Sequence, residues 1–338
     1  MASVRSRAGK WQVRIRRHGH GPVAKTFLLR ADAERWARSI ELELDRGLLA
    51  GRLEAERVLV GEVIARYKEE VLPLKRGAAV EGLRLDRLAS AGLGRLAMAR
   101  LTPQVVAQYR DSRLKSVASG TVLRELQILS AVINHAIREW GIGLAANPVT
   151  LIRRPAPCRG RDRRLQADEQ LQLLTMLSHG GRAEDGTYRK GTRNVWVKPV
   201  VELALETAMR RGELLALRWK EIDLERRVAF LPITKNGDSR KVPLSPRAVE
   251  ILSGLPRHIS GKVFPITPSA LQQAFGRACK AAGVEGFRFH DLRHCALSRL
   301  AERGLSALEL SAISGHKTLQ QLARYVHMRV EDLVRKLA

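Results

Sequence analysis

Apolar residues recur every three or four positions through most of the chain, which is the period of an amphipathic helix. The pattern is unbroken from about residue 53 to residue 149. Its longest run carries apolar side chains at Val122, Leu126, Leu129, Ile133 and Ile137. This span is therefore predicted to form a compact bundle of helices.

Near the N-terminus, apolar and polar residues alternate instead, which is typical of half-buried strands. Residues 11–16 give the clearest alternation, and residues 3–7 and 23–28 are predicted to pair with them as further strands. A helix is predicted to follow over residues 32–46, with its apolar residues on one face. This region is therefore expected to be a small sheet backed by one helix.

After residue 165 the helical pattern returns and is interrupted by one pair of strands. Val228–Thr234 and Ser239–Leu244 flank Asn236-Gly237, and an Asn-Gly pair between two such runs is a strong β-hairpin signal. Lys235 lies beside this turn, where a long cationic side chain can reach outward. The whole chain is expected to have a mainly α fold with small β elements, in the α+β class.

The segment Phe289–His327 carries the strongest local signals in the chain. His290 and Arg293 are three residues apart, so they share one face at the start of a predicted helix. Gly304 suits the position just past the C-terminal end of that helix, because glycine readily adopts the left-handed conformation found there.

Two further helices are predicted in the same segment. Ser306–Glu309 has the spacing of a capping box and starts a helix that Gly315 ends, so that His316 lies just past its end. Thr318–Gln321 repeats the capping signal and predicts a third, short helix that carries Tyr325 near its end. The separation of His316 and Tyr325 is therefore expected to be set by helix caps.

These predictions bring a tyrosine hydroxyl close to two imidazoles and a guanidinium, without metal ligands around it. Such a set of groups suits phosphoryl transfer to tyrosine. Each residue alone has a structural explanation: a half-buried core tyrosine, a capping histidine, or an arginine that faces water. The combination of Tyr325, His290, His316 and Arg293 favours the chemical interpretation.

The charge of the chain indicates the class of its partner. The 338 residues include 60 Lys and Arg against 34 Asp and Glu, a formal net charge of +26. A charge of this size points to a polyanion, with nucleic acid as the first candidate and an acidic membrane surface as the second. No apolar run approaches the roughly 20 residues of a membrane span, so no membrane partner is expected.

The cysteines and the N-terminal residues bear on the cellular location. Cys158, Cys279 and Cys295 are far apart, which fits a reducing compartment and offers no zinc-binding spacing. The first residues lack the apolar core of a signal peptide. A cytoplasmic protein is expected.

Positive charge is concentrated in two stretches. Residues 1–30 hold eight basic residues and no acidic one, and residues 153–164 hold six arginines among Pro and Gly. A solvated basic surface and a simple spacer are the structural alternatives, but unrelieved positive charge favours DNA contact. The residues predicted to contact DNA are Arg5, Arg7, Lys10, Arg14, Arg16, Arg153, Arg154 and Arg161.

Four motifs occur in order along the second half of the chain. They are T-A-M-R-R-G-E-L-L-A-L-R-W, then T-K-N-G followed by R-K-V-P-L, then H-D-L-R-H, then G-H-K-x7-Y. With these motifs the chain resembles a tyrosine recombinase of the phage integrase family over essentially its whole length. The resemblance implies a site-specific DNA recombinase with an arm-type N-terminal domain.

The resemblance also implies the catalytic residues, motif by motif. They are Arg210, Lys235, His290, Arg293, His316 and the nucleophile Tyr325. Three positions depart from the usual family pattern: Ala208 replaces Gly, Leu322 replaces Thr, and Ser314 replaces Leu. None removes a chemical group of the site, and the change at Ser314 is expected to affect packing.

The implied mechanism follows from the chemistry of tyrosine. A free phenol has a pKa near ~10 and is a weak nucleophile at neutral pH. Arg210 and Arg293 are expected to bind the nonbridging phosphate oxygens, with His290 as general base and Lys235 as general acid on the departing 5′ oxygen. The product is a 3′-phosphotyrosine link that stores the bond energy, so no cofactor or metal is expected.

The resemblance divides the chain into functional parts. Residues 1–52 are expected to form an arm-type DNA-binding domain, 53–150 a helical core-binding domain, 151–164 a basic linker and 165–338 the catalytic domain. Double-stranded DNA and further copies of the chain, as a tetramer on DNA, are the expected partners. An accessory DNA-bending protein is left open.

Two other function classes remain as alternatives. One is a DNA-binding regulator without catalysis, which the complete set of catalytic residues argues against. The other is a type IB topoisomerase-like enzyme with the same chemistry, against which the basic N-terminal region argues.

Overall fold

The computed structural model describes residues 2–17, 20–45, 49–75, 77–158, 161, 163–178, 180, 191–232 and 239–325. Contacts divide the chain into two compact units, Met1–Arg159 and Gly160–Ala338. The mainly α fold with small antiparallel sheets that the sequence predicts is confirmed.

The first unit begins with a three-stranded antiparallel sheet, as the alternating pattern predicts. Its strands are β1 (Ala2–Arg7), β2 (Lys10–Arg17) and β3 (His20–Phe27), in that order, and helix α1 (Arg30–Asp45) follows. Ala8 and Gly9 both have positive φ, 49° and 73°, which matches the tight turn between β1 and β2. The turn between β2 and β3 lies outside the described residues.

One face of this sheet packs on α1 and the other is polar. Val13 and Ile15 are 0% and 2% exposed and join the apolar residues of α1 in one cluster. Because successive side chains of a strand point to opposite faces, the even-numbered residues of β2 lie on the other face. The register pairs Ser3 with Arg14 and Arg5 with Gln12, so the odd-numbered residues of β1 share that face.

The rest of the first unit is helical, as predicted. Its helices are α2 (Leu49–Arg57), α3 (Val60–Glu70), α4 (Ala78–Ser90), α5 (Pro103–Leu114) and α6 (Ser119–Glu139), with short 3₁₀ helices at Leu72–Leu74, Gly92–Arg95 and Met98–Arg100. The Thr102 side chain accepts from the Val105 N–H and caps α5. These helices enclose a hydrophobic cluster of their own, which includes Ile64, Leu85, Leu126 and Ile133.

The second unit places helices around a short three-stranded sheet. Its helices are α7 (Ala167–Met176), α8 (Val197–Thr207), α9 (Arg211–Ala216), α10 (Pro246–Ser253), α11 (Pro268–Ala281), α12 (Asp291–Glu302) and α13 (Ala307–Ser314), with 3₁₀ helices at Trp219–Glu221 and Leu319–Gln321. Its core includes Val200, Leu203, Phe264, Phe275 and Leu292. Helix α12 contacts α8 across this core.

The predicted hairpin is present as paired strands. Strand β5 (Val228–Leu231) pairs antiparallel with β6 (Arg240–Pro243), and β4 (Ile222–Asp223) adds a short edge that the sequence pattern did not indicate. The predicted turn at Asn236-Gly237, and Lys235 beside it, lie outside the described residues.

The caps of α12 and α13 agree with the sequence analysis, whereas the predicted third helix is wrong. Ser306 and Glu309 form the capping box of α13, and Gly315 ends it with φ 68°. Thr318 makes no side-chain capping bond, and only the 3₁₀ helix Leu319–Gln321 follows it. Tyr325 lies in a turn beyond that helix, where its N–H donates to the Leu322 carbonyl at 2.8 Å.

Candidate active site

Arg293 is a buried guanidinium inside α12, 3% exposed. It donates to the Ala208 carbonyl and to the Ser314 carbonyl, both at 2.6 Å. Burial, followed by repulsion from Arg210, lowers its pKa from the usual range of arginine. These two carbonyl contacts fix the plane of the guanidinium, whose planar fork of donors suits an anion.

Arg210 reaches the same segment from the N-cap of α9. Its guanidinium donates to Glu213 Oε1 at 2.9 Å and to the Gly315 carbonyl at 3.2 Å. Its backbone N–H donates to Glu213 Oε2 at 2.8 Å, which completes the capping interaction. The carbonyls of Ser314 and Gly315 therefore receive donors from Arg293 and Arg210, and the two arginines converge on the end of α13.

Glu213 is shared by a second arginine on β6. Arg240 donates to both of its carboxylate oxygens, at 2.9 and 2.8 Å, and to the Ile313 carbonyl at 3.1 Å. Burial would raise the pKa of Glu213, but the hydrogen bonds from Arg240 and Arg210 outweigh it and hold the pKa at about 2. The carboxylate is thus ionised at neutral pH. Sequence reasoning missed Arg240.

His316 is oriented by two groups at its Nδ1 atom. Ser314 Oγ lies 2.6 Å from Nδ1, and Arg293 Nη2 lies 3.4 Å from it. Because a guanidinium can only donate, Nδ1 accepts and the ring proton is on Nε2. Burial, with Arg293 and Arg210, lowers the pKa of His316 to about 4. The change to Ser314 is therefore more than the packing change expected, because its hydroxyl holds a predicted catalytic ring.

Tyr325 is 6% exposed and packs in a small apolar cluster with Ala208, Ala296, Leu297, Leu310 and Leu322. Its hydroxyl is hydrogen-bonded to Nδ1 of His294, and the two rings stack with centroids 5.8 Å apart. Burial raises the pKa of Tyr325, although Arg324 and Arg293 act in the opposite direction. A buried, neutral phenol needs a nearby proton acceptor to become a nucleophile.

His290 lies at the N-cap of α12 and is exposed. Its ring is 5.3 Å from that of His294, in an edge-on arrangement. The structure therefore brings together five predicted catalytic residues, Arg210, His290, Arg293, His316 and Tyr325. The sixth, Lys235, lies outside the described residues.

The contact between His294 and Tyr325 is a second part of the site that sequence reasoning missed. His294 is the last residue of the H-D-L-R-H motif and lies four residues after His290, which puts the two on one face of the helix. That spacing was a usable signal. It gave no indication of Tyr325, which is 31 residues further along the chain.

The residues predicted to contact DNA fall into three groups. Arg5, Arg7, Lys10, Arg14 and Arg16 are all exposed and lie on the sheet face opposite α1, as the strand register requires. Arg153 and Arg154 are exposed in the linker. Arg161 instead binds the buried carboxylate of Asp291, with N–O distances of 2.9 and 3.2 Å.

Among the residues that the structure describes, no group of three or more His, Cys, Asp or Glu residues could hold a metal ion. Within the same residues, no helix is both long and apolar enough to cross a membrane.

Comparison with known proteins gives consistent matches. Residues 163–332 match the model of the phage integrase family. The chain is 39% identical to the shufflon-specific DNA recombinase of Escherichia coli over 290 residues, which cover 83% of this chain and 72% of that protein. It is 35% identical to a putative integrase/recombinase of Haemophilus influenzae over 327 residues, which cover 95% and 86% of the two chains.

The fold also resembles solved structures. One is a lambda integrase tetramer bound to a Holliday junction, with a TM-score of 0.62 and 21% sequence identity, covering 93% of this chain and 95% of that one. At this identity the similarity establishes a shared fold.

Proposed function

This chain belongs to the phage integrase family of tyrosine recombinases and is a site-specific DNA recombinase, and from that premise we propose that Tyr325 is the residue that attacks the DNA. The attack forms a 3′-phosphotyrosine link and releases a 5′ hydroxyl. The observation that carries the proposal is the arrangement along α12, where Arg293 binds the Ser314 carbonyl and the adjacent His294 holds the Tyr325 hydroxyl.

The two arginines are proposed to hold the scissile phosphate. Their guanidiniums converge on the Ser314 and Gly315 carbonyls, and Glu213 keeps Arg210 in place. Fixed cationic donors stabilise the charge that develops on the nonbridging oxygens without reorganising during the reaction. His316, with its proton on Nε2, supplies a neutral donor to the same phosphate. Lys235 remains the proposed general acid.

The first unit is proposed to bind duplex DNA. Supporting this, the five exposed basic residues of β1 and β2 form one face of the sheet, free of the helix that covers the other face. Residues 1–52 then serve as the arm-type domain, 53–150 as the core-binding domain, 151–164 as the linker and 165–338 as the catalytic domain. A positive sheet face of this kind suits contact with phosphates and groove edges.

A tetramer on DNA is proposed as the active assembly. The similarity in fold to an integrase that forms a tetramer on a Holliday junction supports it. Sedimentation of the protein on a synthetic four-way junction would test it. Four copies per junction are expected, and a stable complex with one or two copies would contradict the proposal. A cytoplasmic location remains part of the proposal.

A covalent trap tests the proposed nucleophile. Nicked duplexes are built across the ends of the DNA that flanks the gene, and each is incubated with protein in the presence of chelator. An adduct that survives a denaturing gel is expected for the wild type and not for Tyr325→Phe. An adduct of undiminished yield in Tyr325→Phe would place the nucleophile elsewhere. Firm binding without any adduct would favour the non-catalytic alternative.

A further inference from the structure

Among the residues that the structure describes, His294 is the hydrogen-bond partner of the Tyr325 hydroxyl that can remove its proton directly. His294 Nδ1 is hydrogen-bonded to it, and the stacking of the two rings at an interplanar angle of 26° keeps the contact aligned. Family resemblance assigns the general base to His290 instead. Among the described residues no hydrogen bond joins His290 to Tyr325, and the His290 ring contacts the His294 ring.

His294 is neutral at pH 7, so one of its ring nitrogens is an acceptor. It is 9% exposed, and burial, followed by the charge of Arg324 and then His290, lowers its pKa to about 4. The ring is therefore neutral at pH 7. A neutral imidazole has one donor and one acceptor nitrogen, so the phenol donates to Nδ1 when the ring proton is on Nε2.

We propose that His294 is a catalytic residue of this recombinase and accepts the phenol proton of Tyr325 as the tyrosine attacks the scissile phosphate. This inference rests on the proposed function, because it requires Tyr325 to be the nucleophile. It also gives a chemical role to the second histidine of the H-D-L-R-H motif.

The step balances without an additional reactant. The O–H bond of Tyr325 breaks and its proton moves to Nδ1, while the phenolic oxygen forms a bond to phosphorus. The bond between phosphorus and the 5′ oxygen breaks, and its electron pair leaves on that oxygen, which takes a proton from the general acid assigned to Lys235. In the religation direction His294 returns its proton to the phenol.

Several groups surround the imidazole and set its protonation. They are Arg324 and Tyr325 beyond the last 3₁₀ helix, His290, Asp291 and Arg293 on α12, and His316 after α13. The arginines disfavour the imidazolium and Asp291 favours it, with the net effect of a lowered pKa. The neutral form therefore persists across the neutral range, and the wild-type cleavage rate should be flat there.

The test measures single-turnover adduct formation on a nicked duplex as a function of pH. His294→Asn keeps an acceptor near the position of Nδ1 but cannot take up a proton. We expect its rate to fall about 100-fold or more at pH 7 and to rise about tenfold per pH unit between about 7 and 9, because the phenol must then ionise into solvent. His290→Asn, the same change on the same helix, is the matched control and should stay flat with pH.

A second variant separates chemistry from folding. His294→Ala leaves a space for free imidazole, and added imidazole should restore the rate at least about tenfold, in proportion to its neutral fraction. DNA affinity and the urea midpoint report whether each variant is folded. A structural role for His294 would produce neither the pH slope nor the rescue.

The contrary results are distinct. A His294→Asn rate within threefold of wild type and flat with pH would overturn the inference, as would a pH slope that appears in His290→Asn instead. Absence of imidazole rescue in a folded His294→Ala would also count against it. If wild type forms no adduct, or Tyr325→Phe forms one, the proposed function itself fails.

Discussion

Glu213 is the carboxylate on which the arrangement of the arginines depends. It is 7% exposed and forms ion pairs with both Arg210 and Arg240. Removing one partner of a buried ion pair strongly destabilises a protein, because the charge of the other partner stays buried without compensation. Here removal of Glu213 would leave two guanidiniums without their common anion.

Glu213→Gln should therefore destabilise the protein in a pH-dependent way. The folded-state pKa is held at about 2, below the ordinary 4.5, so the contribution is fully present above about pH 4.5 and is lost as the pH falls towards 2. The lowering of the Glu213 pKa from 4.5 to about 2 corresponds to about 3 kcal/mol of folding stability. Urea unfolding at pH 7 should show a loss of this order in the variant, and the difference from wild type should shrink at pH 3.

The control is another glutamate paired with an arginine, but at the surface. Glu250 contacts Arg247 with 69% of its side chain exposed, and such pairs contribute less than about 1 kcal/mol. Glu250→Gln should leave the unfolding free energy nearly unchanged. Equal losses in the two variants would contradict the special role of the buried carboxylate.

At the level of elements, α8 ends in an unusual way. Its C-cap, Ala208, is in the left-handed conformation with φ 51° and ψ 20°, where the family usually has glycine. A non-glycine residue loses roughly 1–2 kcal/mol there. Ala208 is buried in the cluster that holds Tyr325 and Leu310, and its carbonyl accepts from Arg293, so the strained turn contacts both sides of the candidate site.

Substitutions at Ala208 should separate strain from packing. Ala208→Gly relieves the backbone strain. It also removes a buried methyl group that contributes ~0.8 kcal/mol and increases the entropy of the unfolded chain, so the free energy of unfolding should change by less than about 1 kcal/mol. Ala204→Gly, the same change inside α8, should lower the free energy of unfolding by about 2 kcal/mol, because no backbone strain is relieved there. Ala208→Val should lose at least about 3 kcal/mol and slow adduct formation. Equal losses for Ala208→Gly and Ala204→Gly would refute the strain argument.

Arg161 connects two parts of the second unit. Its side chain pairs with Asp291, which is 1% exposed and follows His290, and its carbonyl accepts from Arg324 at 3.4 Å. Its neighbour Arg164 pairs with Glu302 at the surface. Arg161 was also predicted to contact DNA, and that contact stays a prediction.

Arg161→Gln should lower the unfolding free energy by more than the matched change at Arg164, because it removes the cation that pairs with a buried carboxylate. Arg164→Gln should lose less than about 0.5 kcal/mol. The salt dependence of DNA binding distinguishes the two roles of Arg161. An unchanged slope is expected if the ion pair is its main role, and a reduced slope with unchanged stability would favour the DNA contact.

For the molecule as a whole, the charge of +26 predicts strong, salt-dependent binding to nucleic acid. Part of that charge is organised, since Arg14 and Arg16 alternate with the buried Val13 and Ile15 and so share the open face of the sheet. An amphipathic strand thus serves two purposes. Its apolar residues build the core, and its basic residues form a surface.

Arg14→Gln should weaken duplex binding and reduce the slope of log K against log salt by about 1, which is the effect of losing one phosphate contact. Arg38→Gln is the control with the same charge change, because Arg38 is exposed on α1, the helix that covers the other face. Its slope should be unchanged. Equal effects of the two substitutions would mean that only net charge matters.

Sequence patterns were most reliable where the determining interactions are local. The strands of the first sheet, the capping box of Ser306 and Glu309 and the end of the helix at Gly315 were all predicted and are present. Thr318 shows the limit of such patterns. It carries the same signal as Ser306, yet its side chain does not cap, and the chain forms a turn that delivers Tyr325 into an apolar cluster.

The sequence by itself determined the fold class, the order of the motifs and the identity of the family, because these depend on spacing and residue chemistry along the chain. Only the tertiary structure decided which groups meet: Glu213 with Arg240 across 27 positions, and His294 with Tyr325 across 31. Such contacts arise from the packing of α9, β6, α12 and the turn at Tyr325 around a common core. No local period encodes them, so they could be found only by folding the chain.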